Sequence, residues 1–578
     1  MTHKDRISLD ILAAFLAVFF LQSASLWAQT PPDPPPGGDQ PGQLEKAFRE
    51  KRESELPSEK HVPQIDQEEQ APSEEEAPAV SFFVQEISVE GNTVISTAEI
   101  KKVLVSYELR TLTVVLLREA AGEVTKLYRR RGYVTSRAII PPQKIDSGKA
   151  AIRVVEGRIG KIVVSGARYF RKEWIARQMH LQEGSVLHYQ DVEKDLTRIN
   201  RHPDIDVSAV LVKGAVPGTS EILLRVTDHF PIHLSYHFDN LGSKFIGRLR
   251  EGTQVRHNNL LSLGDTLDVR WMASEGGRFT VTSARYVLPL NTYGTDYELG
   301  FTHGEARYGD SLTVALVSGR STSFTNAIHQ PLLRSRAFDL TGTLGFDFLD
   351  SRTTAVQQTD TLDRLRVLKV SADAVLRDGG GRTYLGSEFR FGFPRFLGGM
   401  RKHDPEAGRT FGQSQFFKWS ISMTRVQKFF FSTVLLSRES VEMTRDVLLS
   451  SEQFRAGGAS SVRGYTEGDY TGDYGFTSSN EIRMPFPFVS PSFNVPFTQR
   501  PLREAIQPIG FLDFAKGRTL RISTDRIKQR VLAGVGGGVR IALSDNMNAR
   551  FDWAKPIGNH TLGEGEKTRF HFALDIGF

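Results

Sequence analysis

From residue 231 to the end of the 578-residue chain, apolar side chains recur at every second position. Ile232, Leu234, Tyr236 and Phe238 alternate with polar residues, as do Leu267, Val269 and Trp271. So do Tyr297, Leu299 and Phe301, the longer run Phe338 to Phe348, and Met547, Ala549, Phe551 and Trp553. The last nine residues hold the rhythm without a break: Phe570, Phe572, Leu574, Ile576 and Phe578 enclose His571, Ala573, Asp575 and Gly577. A strand sends successive side chains to opposite faces, so one face is greasy and the other polar. Charges on the second face are too regular for a packed sandwich core and suit a hydrated lumen. Any chain that crosses lipid must satisfy its backbone internally, which leaves helices and closed barrels. After the N-terminal region no run of 18 apolar residues occurs, so a spanning structure here must be a barrel. At roughly 22 residues per strand and connection, residues 231–578 hold about 16 strands, an even number as bacterial barrels need. The C-terminal strand ending at Phe578 is expected to close the sheet against the first strand near Ile232.

The N-terminus has the form of a secretory signal. Lys4 and Arg6 precede an 11-residue apolar core, Ile11 to Leu21, and Leu26-Trp27-Ala28 offers cleavage after Ala28. With Cys at 0, disulfides, zinc-thiolate sites and cysteine nucleophiles are excluded. A net charge of +6 without a dominant Lys/Arg block argues against a nucleic-acid binder. Residues 29–41 are Pro- and Gly-rich linker, residues 43–56 have the composition of a short charged helix, and 57–79 return to Pro- and Glu-rich linker.

Between these parts lie two copies of one small α/β unit. In the first, a strand over Phe83–Val89 ends at Gly91-Asn92. Ser96 and Glu99 form a capping box that opens a helix, a second helix runs over about 113–131, and strands follow near 135–140 and 150–156. In the second, a strand at Arg158–Ser165 precedes helices near 170–180 and 189–201. Strands at 206–213 and 221–227 then flank the Pro217-Gly218 turn.

Particular residues carry a resemblance. Arg131-Gly132-Tyr133, Pro141-Pro142-Gln143 and Val155-Glu156-Gly157-Arg158-Ile159 closely resemble the first periplasmic POTRA module of the TpsB family of two-partner secretion transporters, the haemolysin secretion/activation proteins. Ile199 to Pro203 and Val216 to Ser220 resemble the second module. Val462-Arg463-Gly464-Tyr465, in a Gly-rich stretch, resembles the tip of a family loop that folds back into the barrel. Phe511-Leu512-Asp513-Phe514-Ala515 resembles the F-x-D-x-G wall motif whose aspartate pairs with that arginine, with alanine in place of the glycine. Glu467 and Asp469 remain alternative partners for Arg463. The resemblance implies a transmembrane antiparallel β-barrel (231–578) preceded by two periplasmic POTRA modules (81–157 and 158–230), a plug helix and linker (29–80) and a signal peptide (1–28). It places Phe578 as the C-terminal signal read by barrel-assembly machinery. It implies an outer-membrane transporter that exports a large unfolded partner with an N-terminal secretion domain, without cofactor, metal or nucleic acid. An insertase of barrel proteins and a passive porin are the rival readings. No G-x-S-x-G, H-E-x-x-H or phosphate-loop motif points to an enzyme. His229, His233 and His237, on one face of the first barrel strand, read as polar lumen or rim residues ahead of a metal cluster.

Overall fold

The computed structural model describes residues 40, 43–47, 65–67, 81–145, 148–309, 318–355, 358–486, 489–490, 492–496, 500–521, 529–544, 546–557 and 568–578. The expected signal at 1–28 and residues 48–56 of the expected helix lie outside them.

Sixteen antiparallel strands, from Ile232–Asp239 to Arg569–Gly577, each pair with the next and close into one barrel. The seam joins Ser235 to Gly577 and Asp239 to Ala573, in register. Phe578 extends it: its N–H donates to the Leu234 carbonyl at 2.7 Å, and Leu234 N–H returns the bond at 3.3 Å. The alternation falls as the pleat requires. Leu344 is exposed on the outer face while Thr343, Gly345 and Asp347 are buried on the inner one.

The first module comprises β2 (Ser81–Val84), β3 (Glu86–Glu90), α1 (Thr97–Leu104), β4 (Arg110–Thr113), α2 (Val114–Arg130), β5 (Arg137–Ile139) and β6 (Lys149–Val155). Ser96 caps α1, its hydroxyl accepting from Glu99 N at 3.3 Å. The single strand expected over 83–89 is two. At Gln85 the backbone turns to the Gly148 carbonyl, β2 pairs with β4, and β3 pairs in parallel with β6. Short, charged β4 carried no sequence signal. The apolar faces of α1 and α2 cover the sheet through Ile100, Leu104, Leu117, Val124 and Ile152.

The second module has β7 (Arg158–Ser165), α3 (Lys172–Arg177), α4 (Tyr189–Ile199), β8 (Ile205–Lys213) and β9 (Thr219–Asp228). One finding departs from the linker reading of 57–79. Ile65–Gln67 forms a strand, β1, paired in parallel with Ala209–Leu211 at the outer edge of β8. An edge strand presents unpaired N–H and C=O groups, and pairing with them asks little of the added sequence. The module also docks on the barrel's near end. Trp174 Nε1 donates to the Leu263 carbonyl at 2.8 Å, His180 stacks on Tyr293 with ring centroids 4.7 Å apart, and buried Asp204 takes His233 and Asn258, each at 2.8 Å.

Candidate functional site: a loop anchored inside the barrel

Residues 445–473 join the eleventh and twelfth barrel strands and fold inward as a hairpin, Phe454–Ala456 pairing with Tyr470–Gly472. The tip of this loop carries Val462-Arg463-Gly464-Tyr465. In the strand Ile506–Arg518, pleating places Phe511, Asp513 and Ala515 on the lumen face. Arg463 lies against the first two. Its Nε and Nη2 donate to the two Asp513 oxygens at 2.7 and 2.9 Å, and its backbone N–H adds a third bond to the same carboxylate at 3.0 Å. Nη1 reaches Glu481 at 2.7 Å, and the guanidinium carbon sits 3.5 Å from the centre of the Phe511 ring. Arg463 is 4% exposed and Asp513 0%. A forked, bidentate pair with a ring beneath it uses every feature that separates arginine from lysine.

The neighbouring residues each contribute. Val462 and Tyr465 bury themselves with Phe454, Tyr470, Ala515 and Leu532, an apolar clamp beside the polar one. Gly464 has φ 97°. Ala515, which replaces the family glycine, packs in this clamp. The close backbone approach occurs instead at Gly534, opposite Asp513 in register, where a Cβ would strike the Arg463 carbonyl. Glu467 and Asp469 do not partner Arg463. Glu467 accepts from Ala459 N at 2.7 Å within the loop, and Asp469 pairs with Arg530 at 3.2 Å.

Residues 43–47 are helical and lie inside the barrel, with Leu44 packed on Ile246, Met272, Phe279, Val281 and Ala306. Lys46 Nζ donates to the Gln453 carbonyl at 2.8 Å, and Gln43 donates to the Ser450 carbonyl at the root of the inward loop. Ser323 Oγ donates to Glu45 at 2.8 Å. The loop's roots are held too. Glu452 pairs with Arg390 at 2.9 Å and Lys418 at 2.8 Å. Asp473 takes a bidentate Arg409 at 2.6 and 2.9 Å together with Leu448 N and Leu520 N.

Of the POTRA motif residues, Gly132 and Tyr133 sit at the joint between the modules, while Gln143, Pro141 and Glu156 act within the first. Tyr133 packs between Tyr128 and His188, with centroids at 6.0 and 5.0 Å, while the Gly132 carbonyl accepts from Tyr189 N at 2.9 Å. Gln143 imitates a strand, bonding both backbone groups of Ala151 at 2.8 and 2.6 Å, and Pro141 lines an adjacent groove. At Gly157 a Cβ would lie 2.8 Å from the Thr135 backbone, so only glycine passes. Glu156 accepts from Thr93 N at 2.6 Å, Val94 N at 3.0 Å, the Tyr128 hydroxyl at 3.0 Å and the Thr93 hydroxyl. Burial alone would raise its pKa, but these bonds outweigh burial and hold it below the usual carboxylate value. The stability it contributes is therefore present at neutral pH and lost as pH falls through that lowered value. Glu156→Gln is expected to lower the local opening free energy at Thr93 and Val94 by about 1.5–3 kcal/mol. Amide hydrogen exchange of the full-length protein measures it, and the difference should vanish in acid.

His229 precedes the first barrel strand, which begins at Ile232, so of the three histidines expected on one face only His233 and His237 lie on that strand, and all three take separate partners. His229 lies 3.7 Å from Asp206, His233 pairs with Asp204, and His237 bonds Asp239 at 2.6 Å and Asp575 at 2.5 Å. Sequence reasoning missed Glu481, Asp552, Arg540 and His571, which surround Arg463. Arg540 bridges Glu481 and Asp552, each at 2.5 Å, and Gly464 N donates to His571 at 3.4 Å. Their only sequence signal was charge at lumen-facing positions.

A family model described as haemolysin secretion/activation protein ShlB/FhaC/HecB matches residues 218–541, more than half of the chain. The chain belongs to this family. A model of the ShlB-type POTRA domain matches residues 82–157. As a ShlB/FhaC/HecB-family member it is an outer-membrane transporter of two-partner secretion, with its POTRA modules in the periplasm. The heme/hemopexin transporter protein HuxB of Haemophilus influenzae (strain 86-028NP) is 23% identical over 498 residues, 84% of each chain. The outer membrane transporter CdiB of Dickeya dadantii (strain 3937) is 26% identical over 419 residues, 69% of this chain and 72% of that one. CdiB from Escherichia coli shares the fold, with a TM-score of 0.67 at 21% identity over 93% of this chain and 98% of that one. BamA from Haemophilus ducreyi lacking POTRA domains 1-3 has a TM-score of 0.54 at 15% identity over 86% of this chain and 100% of that one. The insertase reading has less support than the transporter reading.

Proposed function

We propose that this transporter captures an extended segment of one large, unfolded exoprotein on its POTRA modules. The chain then passes through the lumen once the plug helix and the inward loop give way. One observation carries the reading: two separately anchored segments fill the lumen, and one of them is tethered to a POTRA sheet edge. Residues 43–47 sit in the barrel, and β1, a short stretch further along the same tether, sits on the edge of β8. An extended strand that took the place of β1 would make the same backbone bonds and loosen the plug's tether. In the first module a groove of about 310 Å³, lined by Phe82, Val114, Leu117, Ile140, Pro141, Gln143 and Ile145, suits apolar side chains of such a segment. Arg463 and Asp513 hold the second gate. Phe578 on the closing strand serves as the handle for assembly machinery during insertion. The chain has no catalytic role and needs no cofactor; folding of the partner outside gives export its direction.

Deletion of the gene is the test. One large polypeptide should vanish from the culture medium while the set of outer-membrane barrels stays constant. Loss of many barrels would instead make this an insertase, and loss of small-solute uptake alone would make it a porin.

A further inference from the structure

The loop formed by residues 393–416 follows the ninth barrel strand, which runs away from the POTRA modules, so it lies at the cell surface. Its first part is a tight hairpin that bends over the outer face of the wall. Phe393 N donates to the Arg366 carbonyl at 2.9 Å, Met400 N to the Arg364 carbonyl at 3.0 Å, and Arg395 N to the Met400 carbonyl at 2.9 Å. Arg366, outward-facing and register partner of Phe348, donates from Nε to the Leu397 carbonyl at 3.0 Å and pairs with Asp350 at 2.8 Å. The Phe396 ring rests on outward Phe346 with centroids 5.7 Å apart. Beside it on the outer face stand Phe389 on Trp419 and Phe391 on Phe417, an aromatic girdle at the upper edge of the apolar band.

Three features set this hairpin apart. Phe396 and Leu397 are 48% and 60% exposed at the boundary where the membrane begins. Arg364, Arg395, Arg401 and Lys402 are all exposed and, among the described residues, none forms an ion pair, while Asp404 is occupied by the backbone N–H groups of Arg401 and Glu406. Arg395 and Leu397, neither of them glycine, hold left-handed φ values of 58° and 41°. Strain kept at an exposed tip is a mark of function when its surroundings enforce it. An apolar tip at the level of the acyl chains, ringed by unpaired cations just above, matches an amphipathic anionic lipid.

We propose that the hairpin at 393–402 is a binding site for the bisphosphorylated glycolipid of the outer leaflet. Phe393, Phe396 and Leu397 would meet its acyl chains, and Arg364, Arg395, Arg401 and Lys402 its phosphates. Hexa-acyl lipid A 1,4′-bisphosphate titrated into the full-length protein in detergent, read by native mass spectrometry, tests this. The triple variant R395Q/R401Q/K402Q should bind roughly 100-fold more weakly, and F396S/L397S should also lose affinity. Dephosphorylated lipid A should bind the natural protein as weakly as the triple variant binds the phosphorylated form. Unchanged binding by the triple variant, equal affinity for the dephosphorylated lipid, or equal affinity for phosphatidylglycerol would each overturn the assignment. Both variants change exposed side chains, and retention of the heat-resistant folded barrel on electrophoresis confirms that they fold.

Discussion

Arg463→Ala is expected to abolish export while the barrel still inserts. The substitution leaves Asp513 and Glu481, 0% and 4% exposed, facing each other without their shared cation. Removing one partner of a buried ion pair costs about 3–5 kcal/mol, because the surviving charges keep their desolvation penalty. The loop tip can recover part of that only by leaving the wall, which takes Val462 and Tyr465 out of their apolar clamp. Arg463→Lys should be intermediate, since an ammonium cannot fork across Asp513 while also reaching Glu481. Asp513→Asn should impair export as well, and combining it with Arg463→Ala should add less than the sum, because both remove the same interaction. The readout is the partner in the medium beside the folded barrel in the membrane fraction. Normal export by Arg463→Ala would remove this anchor from the mechanism.

The second large effect concerns the helix inside the barrel. Deleting residues 40–56 should convert a largely closed barrel into a persistently conducting one, with at least a tenfold rise in mean current across planar bilayers. Water would replace Leu44 against Met272, Phe279 and Val281 of the barrel wall, and Lys46 would no longer occupy the root of the inward loop. The deletion also removes a tie between the wall and that loop, so Gln453 and Ser450 lose donors and the loop's root should loosen. An unchanged current would mean that the loop alone seals the lumen.

Legibility in the sequence followed the physics of each feature. Strand alternation is a local property, so the barrel and the closing strand at Phe570–Phe578 could be read from period, and the number of strands from the length of residues 231–578 at roughly 22 residues per strand and connection. Helix caps are equally local, and Ser96 with Glu99 announced α1. The tandem α/β units were visible because each repeats its own pattern of periods. What could not be read was pairing that depends on who lies alongside. Nothing in Ile65-Asp66-Gln67 marks a strand, since it exists only because β8 has a free edge. The break at Gln85 arises because β2 and β3 belong to different partners. Glu481, Asp552, Arg540 and His571 come from separate strands and meet only when the barrel closes around the loop tip.

The site shows the same division. Arg463 and Asp513 were named from their motifs, and the pleat puts Phe511, Asp513 and Ala515 on one face without help from the rest of the chain. The choice of Asp513 over Glu467 or Asp469 was tertiary. It required a loop to cross the lumen and find a wall with a glycine at 534 that its backbone could pass. The chain by itself therefore determined the period of its strands, the two modules and the chemistry of its anchor residues, because those follow from neighbours a few positions apart. The folded barrel alone decided which charges are buried together, where the tether rests and what lies in the lumen, because those contacts join separate elements, tens of positions apart at the anchor and hundreds at the helix.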